Sequence, residues 1–218
     1  MGSKSNKYGY VGPEVIQAFG ANKGIFDMSE INSLVQENKW TTGILQLIET
    51  QTGSGVSSID FTSIKENIYD VHFLTISDFQ PATDNTSMII RFSDDGGSTF
   101  EIANYQWAYQ QIYADATTTT TDYKSTVSTY IEINRENGNF ASTEKGNAYV
   151  YLYHLGSNLK KSFTTSHSTQ TSKFGSEYVT QWGSGIYGVK STINAISLLA
   201  STGNMSASSV SLYGIRFS

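Results

Sequence analysis

Ile68-Tyr69-Asp70-Val71-His72-Phe73-Leu74-Thr75-Ile76-Ser77 alternates without a break. Tyr69, Val71, Phe73 and Thr75 fall on one side of an extended chain. Asp70, His72, Leu74 and Ile76 fall on the other. Period two is the signature of a β-strand, because successive Cβ atoms point to opposite faces.

The same period runs outward in both directions. Toward the N-terminus, Ile44 to Thr50 and Ser57 to Ile64 are expected strands, separated by a turn at Thr52-Gly53-Ser54-Gly55. Toward the C-terminus, Pro81 to Ser87 is an expected loop. Met88, Ile90 and Phe92 then alternate with Ile89 and Arg91. Asp94-Asp95-Gly96-Gly97 has hairpin-type chemistry, since glycine takes positive φ without steric cost. Phe100 to Tyr113 fits a strand or a short helix, and Thr117 to Thr121 marks a loop. Further strands are expected at Val127 to Asn134, Asn147 to Leu155, Lys160 to Thr171, Tyr178 to Val189, Thr192 to Ala200 and Ser209 to Phe217. Glu136 to Gly146 is a polar loop. About ten strands with no βαβ alternation predict an all-β fold, an antiparallel β-sandwich of jelly-roll type. No fixed-period repeat points to a solenoid or propeller.

The first forty residues differ. Met1 to Gly12 is rich in Gly, Ser and Tyr, without a period, and is expected to form an extended arm. From Ser29, Ile31, Leu34 and Val35 sit at helical spacing. Asp27 and Glu30 have the spacing of a capping box. One helix of two or three turns is marginal alone and needs a partner. Residues 1–42 therefore form an expected anchor, and residues 43–218 the β-sandwich. Tyr8, Tyr10, Phe19, Phe26 and Trp40 are the anchor's aromatic residues, the expected contacts to a partner or a sibling subunit.

Composition narrows the function classes. The 218 residues include 30 Ser, 24 Thr, 14 Tyr and no Cys. A disulfide framework or thiolate metal site is impossible. The net charge of −5 offers no basic footprint for nucleic acid. No apolar run is long enough for a membrane-spanning helix. The N-terminus lacks the apolar region of a secretory signal, so none is expected.

Catalytic patterns are sparse. His72, His154 and His167 are far apart in sequence, and His72 and His154 lie within strand patterns. No zinc-protease, P-loop, nucleophile-elbow or dinucleotide fingerprint occurs. A glycosidase needs two carboxylates, for which Asp70, Glu101 and Glu132 could serve. Each has the simpler reading of a strand residue facing solvent or an interface. Asp78, Asp84, Asp94 and Asp95 could ligate Ca²⁺, but no EF-hand spacing accompanies them, and Asp is an ordinary turn residue. No cofactor, catalytic residue or metal site is expected.

Tyr149, Tyr151 and Tyr153 share one face of one expected strand. Tyrosine joins a large apolar body to a polar tip, which suits interfaces. This face could complete the sandwich core, meet another protein, or form a platform for sugar rings. Trp182, set among three glycines, carries the same alternatives.

Several segments together resemble virion proteins of tailed phages, cyanophage structural proteins above all. They are Ser57 to Ile64 followed by Tyr69 to Phe73, Met88 to Gly97 followed by Tyr105, and the closing Val210 to Ile215. The likeness covers residues 44 to 218. Gly24 to Trp40 resembles a segment placed before such domains. The resemblance implies a jelly-roll or laminin-G-like sandwich in a virion. The expected role is a compact tail, baseplate or neck-fibre or spike component that takes part in host attachment. A capsid decoration protein or a carbohydrate-binding module is the alternative. It supplies no catalytic residue. The implied partners are other virion proteins, sibling subunits in a closed oligomer, with a trimer the first expectation, and a host-surface glycan. No coiled-coil heptad is present, which fits a short appendage better than a long fibre.

Overall fold

A computed structural model describes residues 32–33, 45–114, 120–139, 144–172 and 177–216. The anchor residues Tyr8, Tyr10, Phe19, Phe26 and Trp40 lie outside these, as does nearly all of the expected helix. The described chain forms two antiparallel sheets packed as a jelly-roll-like sandwich. Its strands are β1 (Leu45–Val56), β2 (Ser58–Phe61), β3 (Val71–Pro81), β4 (Thr86–Ser93), β5 (Tyr105–Ala114), β6 (Thr120–Ser128), β7 (Ile131–Asn137), β8 (Gly146–Tyr153), β9 (Phe163–Thr171), β10 (Tyr178–Tyr187), β11 (Ala195–Ala200) and β12 (Met205–Ile215). The larger sheet has eight strands, ordered β1-β12-β3-β8-β9-β10-β5-β6. The smaller has four, ordered β2-β11-β4-β7.

The founding strand, β3, pairs β12 on one side and β8 on the other. Leu74 lies opposite Val150 and Leu212, and all three are buried. Across the sandwich, Ile90, Phe92, Ile196 and Leu198 of the smaller sheet complete one apolar core with them. Its burial supplies the main drive for folding, at roughly 25 cal/mol per Å² of apolar surface.

Tyr105 ties the layers together. Its ring lies 5.0 Å from that of Tyr187 and 6.1 Å from that of Phe92. Its hydroxyl accepts the Phe92 N–H at 2.8 Å, from the opposite sheet. Beneath β7 the interior turns polar. Gln170 and Gln181 both donate to the Arg135 carbonyl. Asn134 and Asn137 bond each other, and Asn137 donates to the Thr86 carbonyl at 2.7 Å.

Several strand limits differ from those expected. Thr52 to Gly55 does not end β1. It lies inside that strand, where register shifts bend the chain. A Cβ on Gly53 would stand 2.8 Å from Val56, so glycine there permits close approach. Asp94 to Gly97 is not a hairpin, because β4 and β5 belong to different sheets. Gly96 and Gly97 do take positive φ, and Asp95 caps the loop by accepting from Ser93 and Thr99. Those donors pull the exposed Asp95 carboxyl down to about 2. Val127 to Asn134 is two strands rather than one. Val127 is 88% exposed on β6, whereas Ile131 and Ile133 are core residues of β7. The Ser128 hydroxyl donates to the Tyr130 carbonyl at 2.8 Å, and this local turn breaks the run. Within Phe100 to Tyr113 the structure has the strand β5, which starts at Tyr105. Thr120 and Thr121 of the expected threonine loop belong to β6.

Replacing Tyr105 with Phe should keep the ring packing but leave the buried Phe92 N–H without its acceptor. The expected cost is about 1–3 kcal/mol, read from denaturant unfolding. A loss below about 0.5 kcal/mol would show that this inter-sheet bond contributes little.

Candidate functional site

Antiparallel partners share a face, so the register of the eight-stranded sheet arranges its outward side chains in rows across the strands. The first row holds Leu45, Ile215, Val71, Tyr153, Phe163 and Ile186, of which Val71 is itself buried. The second holds Leu47, Tyr213, Phe73, Tyr151, Thr165 and Ser184. The third runs Thr50, Ser211, Thr75, Tyr149, His167, Trp182, Gln110 and Asp122. The fourth runs Asn147, Thr169, Thr180, Ile112 and Thr120. The face therefore grades from apolar, through aromatic, to amide and hydroxyl.

Tyr149, Tyr151 and Tyr153 lie on this outer face. Their strand neighbours Ala148, Val150 and Leu152 face the core. The core reading of the tyrosine face is thereby corrected: the period-two pattern was right, and the buried side is the aliphatic one. Phe73, which sequence reasoning did not single out, is the hub of the rings. Its centroid lies 4.7 Å from Tyr151, 6.1 Å from Tyr149 and 6.1 Å from Tyr213. The His167 ring stacks on Tyr149 at 5.3 Å, and His167 Nε2 is 3.1 Å from Thr180 Oγ1.

Trp182 lies beside this cluster and is 41% exposed. Its neighbour Gly183 faces inward, where a Cβ would sit 2.3 Å from that of Tyr109. A Cβ on Gly185 would stand 2.5 Å from Ile131 of the smaller sheet. The glycines around Trp182 thus let β10 pack closely on its neighbours while its opposite face carries the indole.

Trp182 lines one hollow, and a second begins at Thr180, two residues away on the same face of β10. One, of about 480 Å³, includes Gln110, Asp122 and Lys124. The other, of about 550 Å³, is floored by Asn147, Thr169, Thr180 and Ile112, with Asp78, Lys145 and Tyr178 around it. Asp78 reaches this edge because β3 bulges between Ile76 and Phe79, with Asp78 at φ 56°. Its N–H donates to Asn147 Oδ1 at 3.0 Å. Sequence gave no means of joining these residues, which come from separate strands and meet only through register.

The carboxylates weighed for glycoside cleavage have separate surroundings. The Asp70 backbone N–H bonds the Ile215 carbonyl. Glu101 contributes to the environment of Tyr187. Glu132 is buried and accepts from Ser87, and burial raises its pKa against the opposing pull of Ser87 and Arg135. Among the described residues, no group of three or more His, Asp or Glu is placed to hold a metal ion.

No family model, curated protein or solved structure matches this chain.

His72 provides a pH test of the scaffold beneath the site. It is buried, and its Nε2 lies 2.8 Å from the Ile64 carbonyl. Burial lowers its pKa, opposed by that bond and by Glu66. The unfolded chain therefore takes up a proton near pH 6.5 while the folded chain does not. Stability should fall as pH drops from 7.5 to 5.5, measured as melting temperature, and His72→Phe should flatten that slope. An unchanged slope in the variant would remove His72 as the cause.

Proposed function

We propose that this chain is a structural component of a phage virion, a compact appendage that works by binding rather than by turnover. In this reading residues 1–42 anchor the chain, and residues 43–218 form a displayed β-sandwich that meets sibling subunits and the host surface. One observation carries it: the large sheet turns an ordered apolar and aromatic face outward instead of the polar face usual on a free antiparallel sheet. Leu47 is 58% exposed and Phe163 43% exposed on that face. Tyr213, Phe73 and Tyr151 lie between the strands that carry them.

The apolar first and second rows suit a sibling subunit. Interface cores are poor in charge and rich in Tyr and Phe, and these rows hold no charged residue from β1 through β10. Among the described residues, β1 is the edge strand at which this surface begins. Burying such rings and leucines removes apolar area from water at roughly 25 cal/mol per Å².

The deciding experiment measures the oligomeric state of the purified full chain and its copy number in intact particles. The combined change Leu47→Asp and Phe163→Asp should leave a folded sandwich that neither oligomerises nor enters particles. Normal assembly of that variant would refute the interface, and absence of the chain from purified particles would refute the virion role.

A further inference from the structure

We propose that the hollow beside Trp182 is a binding subsite for a neutral oligosaccharide. The assignment rests on the reading of the large sheet's outer face as the working surface. It adds the chemical class of a ligand for the polar half of that face, which the subunit contact leaves unexplained.

The hollow joins two kinds of surface. Of the two aromatic residues on this face of β10, Tyr178 lines the hollow and is 73% exposed, and Trp182 stands just beyond Thr180. At a strand rise of about 3.3 Å per residue, their Cα atoms are roughly 13 Å apart. The floor between and beside the rings consists of Thr180, Thr169 and Asn147, aligned by register. A pyranose ring has the matching duality: C–H groups on its faces and hydroxyls around its rim. The aromatic residues supply apolar faces for the former. The floor supplies donors and acceptors for the latter.

Two of the polar groups are held in place before any ligand arrives. Asn147 Oδ1 accepts the Asp78 N–H at 3.0 Å, which leaves the carboxamide NH₂ to donate. Thr180 Oγ1 is fixed by the Ser168 carbonyl at 3.3 Å and by His167 Nε2 at 3.1 Å. The His167 ring is itself stacked on Tyr149. Side chains ordered in advance reduce the entropy lost on binding. The hollow, about 550 Å³, falls in the range of small-ligand sites.

Other ligand classes fit less well. An extended peptide that adds a strand needs an open sheet edge. The floor strands β8, β9, β10 and β5 each have both neighbours filled. An anion would need concentrated positive charge. Among the described residues, Lys145 is the cation that lines the hollow, Asp78 shares the rim, and Lys145 Nζ donates to Gln80 at 3.0 Å. Ca²⁺ binds through several oxygens, mainly carboxylates, and among the described residues Asp78 is the carboxylate lining this hollow. The described lining, paired hydroxyl, amide and aromatic groups with one cation and one carboxylate, selects a neutral polyhydroxylated ligand.

The test uses the full chain, labelled for hydrogen–nitrogen correlation spectra. It is titrated separately with neutral hexasaccharides of β-1,4-glucose, α-1,4-glucose, β-1,4-xylose and β-1,4-mannose. At least one should shift the Trp182 indole and the Thr169 and Thr180 amides together. Trp182→Ala and Thr180→Val should each weaken that binding about tenfold or more. Leu47→Asp with Phe163→Asp should leave it unchanged, because those residues belong to the apolar rows. No shifts with any sugar would overturn the proposal. So would shifts confined to another surface, or an affinity indifferent to both hollow substitutions. Particle entry is read separately: Trp182→Ala and Thr180→Val variants that assemble normally but lose sugar support the subsite. Failure of particle entry by the Leu47/Phe163 variant bears on the subunit contact alone.

Discussion

The pairing of β3 with β8 at the middle of the large sheet is the constraint on which the rest depends. One register sets Leu74 against Val150 inside and Phe73 against Tyr151 outside. The side-chain period is two, so a slip of one residue would exchange the faces. Aliphatic Leu74, Ile76 and Val150 would turn to solvent, and the rings would be forced into a gap sized for smaller side chains. The dry core therefore fixes the outer aromatic face, although the rings themselves add little to it.

Close packing between the layers sets a second condition. Gly185 lets the Ile131 side chain of the smaller sheet approach β10 closely, and Gly183 does the same for Tyr109 of the neighbouring strand β5. The opposite side of the same strand carries Tyr178, Thr180 and Trp182. Larger residues at those glycines would push β10 outward and displace the row that floors the Trp182 hollow. The polar interior under β7 works alongside. Gln170 and Gln181 share the Arg135 carbonyl and so tie β9 and β10 to the smaller sheet. Core packing and outer-face geometry are coupled through single strands.

The sequence made some elements plain and concealed others. β3 and β8 were legible because apolar and aromatic residues alternate along them without interruption. β6 was not, since Thr120 to Ser128 lies on the sheet's edge and is mostly polar on both sides. The split between Val127 and Ile131 was hidden because the alternation continues through a turn made by one serine hydroxyl. Asp94 to Gly97 showed its turn chemistry in full, yet local chemistry says nothing about whether the next strand joins the same sheet. At the site, Tyr149, Tyr151, Tyr153 and Trp182 stood out by residue type. Phe73, Asn147, Thr169 and Thr180 did not, since each is an ordinary strand residue until its cross-strand neighbour is known.

By itself, the sequence determined the all-β class, most of the strands, and the sorting of each strand's residues into two faces. Those properties follow from backbone geometry and act over a few neighbouring residues. Only the tertiary structure decided which face is buried, which strands share a sheet, and which residues stand side by side on the outer surface. Burial depends on what packs opposite, and cross-strand rows depend on register between segments far apart in the chain, as Thr50 and Ser211 are at 161 positions. No local pattern encodes that separation, and the combined packing of two sheets selects it.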